Sequence, residues 1–354
     1  MSKYEDQIKN GLNKVREKFT EKESIELKDI KLVILSDQHR GTNDGADDFR
    51  KCKAAYHAAL GFYHEAGFNL YVLGDVEELW ENRPKPVIKT YQDTLDLESK
   101  FVQAGKYLRF YGNHDDEWQY QGNVDKYLKK YITDNNGKAV VKEGHILEVV
   151  NKGKKIGELF FVHGHQGTME SDKFSWFSRL FVRYIWRPFQ RLTGISATTP
   201  AKNFDLRLKH ETAMHGWAKD QKGLILISGH THHPVFTSES HETYLQRQID
   251  HLRSNLKVAK TAKEKQDLQK ELEVLVSRLN WVLAKSNGVR LEIPKDQKPC
   301  YFNTGCCSFP DGDITGLEIE NGKIRLVRWP DDEGNPRKKI LREAGLADVL
   351  KDCQ

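Results

Sequence analysis

Five apolar segments of the chain lead directly into residues that can bind a metal ion. They are residues 31–35, 70–73, 107–111, 159–162 and 224–227. Each is short, apolar and rich in branched or aromatic side chains, and is therefore predicted to be a buried strand. Helix-patterned stretches at 47–66 and 90–104 separate the first three, which is typical of an α/β fold. Polar residues that follow such strands gather at one edge of a sheet, where binding sites commonly form.

Two other regions contain strands that follow one another without helices, at 139–162 and 300–329. Asn151-Lys-Gly and Asn321-Gly lie within them and predict hairpin turns. A mixture of helix-separated and directly consecutive strands indicates two packed sheets with helices outside, rather than one doubly wound sheet.

The residues after the five segments suit metal binding by their chemistry. The candidates are Asp37, His39, Asp75, Asn113, His163, His230 and His232. Carboxylate, imidazole and amide ligands without thiolates favour manganese, iron or zinc. None of the five cysteines lies near a candidate, and no CxxC motif occurs. Their odd number predicts free thiols in a reducing compartment.

Taken together, these motifs resemble the calcineurin-like metallophosphoesterase superfamily. The resemblance rests on Asp37-Gln-His39, Gly74-Asp75, Gly112-Asn-His-Asp115, His163 and Gly229-His-Thr-His232, and it covers residues 30–235 with the closing strands at 300–329. It implies a four-layer αββα sandwich holding two divalent metal ions, manganese first and iron or zinc as alternatives.

The resemblance also assigns roles. One metal ion would be held by Asp37, His39 and His232, the other by Asn113, His163 and His230, with Asp75 bridging the two ions. A hydroxide between the metals would attack phosphorus. His114 would assist the leaving group, and Asp115 would orient its ring. His165 and His233 are expected beside the ligands rather than among them.

The substrate is the least constrained part of this interpretation. Gly74–Trp80 resembles the corresponding stretch of UDP-2,3-diacylglucosamine pyrophosphatases, whereas His114 and His165 replace the Arg and Asp usual there. We therefore expect cleavage of a phosphodiester or pyrophosphate bond in a phosphorylated small molecule or a lipid-linked or nucleotide-sugar-like compound. A phosphomonoesterase or protein phosphatase, a metal-dependent nuclease and a catalytically silent scaffold are the alternatives. The Asp-Arg-Gly element of protein phosphatases is absent after Asp75.

The aromatic and basic segment 168–200 is predicted to be a cap inserted into the core. Its arginines recur every four residues, opposite an aromatic face, at positions 179, 183, 187 and 191. This pattern predicts membrane-surface contact through 174–192 and substrate contact by Arg179 and Arg183. Substrate contact is also predicted for Arg40, which follows the motif Asp37-Gln-His39. A cap simply packed on the core and a nucleic-acid contact are the alternatives, and a net charge of only +5 disfavours nucleic acid.

The remaining segments complete the predicted organisation. An amphipathic helix is expected within 1–29, the core at 30–237 and 299–330, a two-helix hairpin at 238–290, and a charged tail at 331–354. The leucine stripes of the hairpin predict a homodimer through 242–283. The chain lacks an apolar run of about 20 residues and an apolar N-terminal segment, so we expect a cytoplasmic protein, peripheral at the inner membrane face.

Overall fold

The computed structural model describes residues 2–19, 22–168, 204–259, 261–285, 298–330 and 334–354. The predicted cap therefore lies outside the described residues from position 169 onward, and with it Arg179, Arg183 and the segment 174–192.

Two sheets form the centre of the fold. Their strands are β1 (Glu23–Glu26), β2 (Lys31–Leu35), β3 (Asn69–Leu73), β4 (Tyr107–Phe110), β5 (Gly144–Asn151), β6 (Lys154–Val162), β7 (Leu224–Ser228), β8 (Val235–Phe236), β9 (Glu239–Ser240), β10 (Tyr301–Asn303), β11 (Ile314–Glu320), β12 (Lys323–Trp329) and β13 (Lys339–Gly345). One sheet has the order β1-β5-β6-β7-β10-β8-β9, and the other β13-β12-β11-β2-β3-β4. β2, β3 and β4 are parallel neighbours, as are β6 and β7, so each of these sets ends at one edge of its sheet.

The helices lie outside the sheets. They are α1 (Lys3–Glu17), α2 (Lys53–Glu65), α3 (Pro84–Thr90), α4 (Gln92–Gln103), α5 (Gln121–Tyr127), α6 (Lys129–Ile132), α7 (Phe204–Lys219), α8 (His241–Val258), α9 (Ala262–Lys285) and α10 (Leu346–Asp352). Within the described parts of the chain, none of them is long and apolar enough to cross a membrane.

Strand residues alternate between two cores, which gives the fold its layers. On β2, Ile34 belongs to the core between the sheets, whereas Val33 belongs to a second core beneath α2 and α4. On β6, the Phe161 ring lies 5.1 Å from Tyr71 of the facing sheet, and the Phe160 ring 5.6 Å from Trp217 on α7. A strand buried on both faces needs apolar residues at every position, as these strands have. The result is the α/β sandwich that the sequence predicts.

The hairpin turns form where the Asn-Gly signals lie. Asn321 and Gly322 both have positive φ, at 53° and 71°, between the paired Glu320 and Lys323. The other turn places Lys152 and Gly153 in the same backbone region. Two consecutive left-handed residues give the twist that a two-residue hairpin requires.

The two ends of the chain pack more closely on the core than the charge pattern suggests. Residues 339–352 form β13, which pairs with β12, and α10, whose Leu346 and Leu350 are fully buried; the predicted tail is thus structured over these residues. At the other end, α1 buries Ile8, Leu12 and Val15, and β1, not foreseen from the sequence, pairs with β5. The elements at the two ends of the chain are half-buried or lie at a sheet edge. Charged residues between their apolar residues obscure the periodicity that would predict a helix or a strand.

The predicted helical hairpin is present as α8 and α9, joined within three residues. Leu245 and Ile249 pack against Leu279 and Val282, so the start of α8 meets the end of α9 and the helices are antiparallel. This agrees with the two-helix hairpin that the sequence predicts.

Candidate metal centre

The strand ends bring all seven predicted ligands to one region. Three sets of side chains place potential ligand atoms within 4.8 Å of one another: Asp37, His39 and His232; His39, Asp75 and His114; and Asp75, His163 and His230. Asn113 immediately precedes His114 and is buried as well. The parallel strands explain this, because each carboxyl end delivers its ligand to the same edge.

The first group centres on two imidazole nitrogens and a carboxylate. His39 Nε2 lies 3.0 Å from His232 Nε2, and His232 Nε2 lies 3.2 Å from Asp37 Oδ1. Asp37 is held in place by the backbone N–H of His230, which donates to both of its carboxylate oxygens.

The second group is Asp75, His163 and His230, and one oxygen of Asp75 lies close to both groups. Asp75 Oδ2 lies 3.1 Å from His163 Nε2 and 3.7 Å from His39 Nε2. A single carboxylate between two clusters of nitrogen ligands is the arrangement that two neighbouring cations require, because an anion between them reduces their repulsion.

The backbone of the ligands is strained. Asp37, His39, Asp75, His230 and His232 have positive φ values between 49° and 71°. Each such residue costs roughly 1–3 kcal/mol when it is not glycine. Strain repeated at five predicted ligands indicates that these backbone conformations direct the side chains towards the site at a cost in stability.

The donor atoms fit a cation. Nδ1 of His163 donates to the carbonyl of Leu73 at 2.7 Å, so the lone pair of its Nε2 faces Asp75. Asn113 Oδ1 and His163 Nε2 are both buried, with no hydrogen-bond partner in the part of the chain that the structure describes. Converging lone pairs repel one another, and a divalent cation between them would remove both the repulsion and the unsatisfied groups.

Most of the shifted pKa values favour the metal-binding forms of the predicted ligands, with two exceptions, His39 and His163. Burial opposes protonation of His39, but the hydrogen bond to Glu78 outweighs it and raises the pKa of the imidazole. Burial opposes ionisation of Asp37, but His232 and His163 outweigh it and lower the pKa of the carboxyl; that of Asp75 is lowered further by similar neighbours. Burial lowers the pKa of His230 and of His232, which keeps both imidazoles neutral. His163 differs, because the two carboxylates overcome its burial and raise its pKa to about 9. A proton on His163 therefore competes with metal.

Glu78 connects two histidines of the centre. Its Oε2 accepts from His39 Nδ1 at 3.0 Å and from His114 Nδ1 at 2.7 Å. Burial opposes ionisation of Glu78, yet His114 and His39 lower its pKa to about 2. The Trp80 ring stacks on His114 at 4.3 Å and 17°. The sequence identifies Glu78 and Trp80 only as part of the stretch Gly74–Trp80, because nothing in their spacing reveals which residues they contact.

The role predicted for Asp115 is wrong. Its carboxylate accepts from the backbone N–H groups of Asp75, Val76 and Gly112, and Glu78 takes the contact with the His114 ring. Burial and the nearby Asp75 raise the pKa of Asp115 to about 7. Asp115 fixes the loops after β3 and β4 instead.

The substrate contact predicted for Arg40 is also contradicted. Its side chain is 0% exposed and pairs with Glu98 and, at 3.9 Å, with Glu77. Arg109 completes this buried network through the same two carboxylates. Removing a buried guanidinium from two counter-ions is prohibitively costly, so Arg40 stabilises the fold beneath the site.

Three other histidines surround the ligands. The His165 ring lies 5.4 Å from that of His163, and His233 Nδ1 bonds Glu211 at 3.1 Å. His210, which no sequence motif identifies, has its ring 5.0 Å from that of His230. It lies in the middle of α7, without a motif to mark it.

A comparison with known families adds to this geometry. A family model described as calcineurin-like phosphoesterase matches residues 30–234, more than half of the chain, and spans every predicted ligand. A search among curated proteins finds no match.

Proposed function

Since this chain belongs to the calcineurin-like phosphoesterase family and is a phosphoester-hydrolysing enzyme with a dimetal centre, we propose that it cleaves phosphodiester or pyrophosphate bonds. The proposed substrates are lipid-linked or nucleotide-sugar-like compounds. The proposed metal ion is manganese, with iron or zinc as alternatives that the same donors accept.

In this proposal the ligands divide into two sets around one shared residue. Asp37, His39 and His232 hold one ion, while Asn113, His163 and His230 hold the other, and Asp75 serves both. Bound divalent cations would supply Lewis acidity that activates water and withdraws charge from the phosphoryl oxygens.

His114 is the proposed proton donor to the leaving group. Glu78 holds the Nδ1 side of the ring, and Trp80 covers one ring face at 4.3 Å. The ring is thereby fixed in orientation, with Nε2 as the nitrogen that can pass a proton to the departing oxygen. A fixed donor needs no reorganisation during the reaction, which lowers the barrier.

The observation that carries the preference for diesters is a cleft beside the centre. It has a volume of about 570 Å³, and its lining includes Asn113 and His165. A phosphomonoester has one substituent on phosphorus, whereas a diester or pyrophosphate has two. The cleft gives the additional substituent a place that starts at a proposed metal ligand.

Hydrolysis of three probes by the manganese-loaded protein tests this proposal. The probes are 4-nitrophenyl phosphate, bis(4-nitrophenyl) phosphate and UDP-N-acetylglucosamine. We expect a higher kcat/KM for the diester than for the monoester, with cleavage of the pyrophosphate. A monoester rate equal to or above the diester rate, with an intact pyrophosphate, would reject the substrate class in favour of a phosphomonoesterase.

Two partner contacts remain part of the proposal. The sequence pattern of 174–192 supports contact with a membrane surface, and the apolar stripe of α9, where Val274 is 50% exposed, supports a homodimer through 242–283. Co-sedimentation with anionic liposomes tests the first and sedimentation velocity tests the second. No liposome binding, or a monomer at all concentrations, would remove the respective contact.

A further inference from the structure

One face of α1 forms a wall of the cleft that reaches the metal centre. Gln7, Asn10, Lys14 and Lys18 line the cleft at steps of three and four residues. A neighbouring face buries Ile8, Leu12 and Val15 in the core. This spacing places the two sets about 120° apart around the same helix. The family match begins at residue 30, so this wall lies outside the matched domain.

The wall is fixed to the loop that follows a metal ligand. A Cβ built on Gly11 would lie 2.6 Å from the backbone of Gln166 and Gly167, so α1 touches that loop where only glycine fits. The loop begins immediately after His163. In addition, the Tyr4 hydroxyl hydrogen-bonds His210 Nδ1 at 2.9 Å. The distance between the cleft and the metal centre is therefore set by close packing.

The lining of the cleft is amide-rich. Amide side chains come from three parts of the fold: Gln7 and Asn10 on α1, Gln119 after β4, and Gln166 after β6. Gln166 Nε2 and His165 Nδ1 are buried, and neither has a hydrogen-bond partner within the described ranges. Both atoms lie beneath the surface of the cleft, so the amides that a ligand can reach are those of Gln7, Asn10 and Gln119, and amides pair readily with hydroxyl groups.

The charges around the cleft exclude other classes of ligand. Lys14 and Lys18 are offset by Glu17, Asp116 and Glu143, and Lys18 is already paired with Glu143. Opposed charges give no net attraction for a polyanion. Among the described residues that line the cleft, Tyr111 is the single Phe, Tyr or Trp side chain, so these residues offer acyl chains no apolar wall.

We propose that this cleft binds a sugar-like substituent of the phosphate ester, uncharged and rich in hydroxyl groups. This inference rests on the proposed function. Phosphorus lies at the metal centre beside Asn113, and Asn10 and Gln119, which come from different elements, bind the hydroxyl groups. α1 is then a specificity element that the matched phosphoesterase domain does not itself provide.

Substitution of the exposed amides tests this inference without disturbing the core. Asn10→Ala and Gln119→Ala remove one side chain from each wall, and Gln103→Ala, at the exposed end of α4, is the matched control. We expect each cleft variant to raise KM for UDP-N-acetylglucosamine about five- to tenfold, the effect of one lost hydrogen bond. For bis(4-nitrophenyl) phosphate, which lacks hydroxyl groups, kcat/KM stays within about twofold.

Binding separates failure of this inference from failure of the proposed function. Calorimetry of the metal-loaded protein with UDP-N-acetylglucosamine should show weaker binding to both cleft variants, while inorganic phosphate binds all proteins alike. Unchanged binding and KM for the nucleotide sugar would overturn the sugar site, even if esters are hydrolysed. Equal losses for both substrates would overturn it too, because they would indicate damage to the centre. If no ester is cleaved but the nucleotide sugar binds as expected, the proposed function fails and the sugar site stands.

Discussion

Replacing Glu78 by Gln tests how the metal centre is supported. One oxygen of Glu78 accepts two imidazole N–H groups, at 3.0 Å from His39 and 2.7 Å from His114. The pKa of Glu78, lowered to about 2, means that the carboxylate is ionised at neutral pH. An amide has nearly the same volume but carries no charge, and its NH2 group must face either the two rings or the Trp80 backbone N–H that the other carboxylate oxygen accepts.

The expected loss follows from those two bonds. A hydrogen bond to a charged group contributes about 1.5–3 kcal/mol, whereas a bond to the neutral amide contributes about 0.5–1.5 kcal/mol. Loss of such outer support typically lowers metal affinity about 10–100-fold. We expect Glu78→Gln to weaken manganese binding by this factor through His39. We also expect kcat to stay low at saturating metal, because the His114 ring is no longer held.

Metal titration against a fluorescent chelator, followed by kinetics at saturating manganese, measures both effects. The neighbouring Glu77 provides a matched contrast, because it pairs with Arg109 and accepts from Trp118 Nε1 at 2.9 Å, away from the ligands. Glu77→Gln should lower the melting temperature without changing the metal affinity of the folded protein. Wild-type metal affinity and kcat in Glu78→Gln would show that Glu78 does not support the metal centre. The same loss of metal affinity in both variants would also contradict a specific role of Glu78.

Three further substitutions probe the fold around the site. A Gly-to-Ala change normally stabilises a helix by about 1 kcal/mol, but in Gly11→Ala the new Cβ would lie 2.6 Å from Gln166. Differential scanning calorimetry should therefore show a lower melting temperature, and a higher one would contradict the close packing. Arg40→Met removes one of the two guanidinium groups that pair with the buried Glu98, so urea unfolding should show a loss of about 3–5 kcal/mol with an unchanged KM; a raised KM would restore Arg40 as a substrate contact. Burial, with Lys142 nearby, lowers the pKa of His145 to about 4, so the unfolded chain binds this proton first and stability falls as the pH drops from about 6.5 to 4. His145→Gln should flatten that part of the stability profile by up to about 3 kcal/mol, and an unchanged slope would reject this cause.

Strand ends made the ligand positions predictable from the sequence. Buried strands are recognisable as apolar runs, and parallel strands deliver the residues that follow them to one edge. Asp37, Asp75 and His230 could therefore be selected without knowledge of any contact between them. Pairing through Asn321-Gly was predictable for the same reason, since a local signal determines a local structure.

Contacts between distant segments were not predictable. Glu78 faces His114 only because the loops after β3 and β4 fold over each other, and Asp115 turns towards backbone N–H groups instead. Arg40 follows a metal-binding motif, yet its side chain points into the core. In each case the neighbouring sequence fixes the backbone, while the direction of the side chain depends on partners tens of residues away.

Metal content and activity of Asp75 variants test whether Asp75 bridges two metal ions. We predict two manganese ions per wild-type chain, measured by mass spectrometry of the purified, metal-saturated protein. Asp75→Asn and Asp75→Ala should retain at most one ion and lose hydrolysis of bis(4-nitrophenyl) phosphate, because the shared carboxylate is missing. Two ions retained in Asp75→Ala, or full hydrolysis with a single ion in the wild type, would contradict a dimetal centre bridged by Asp75.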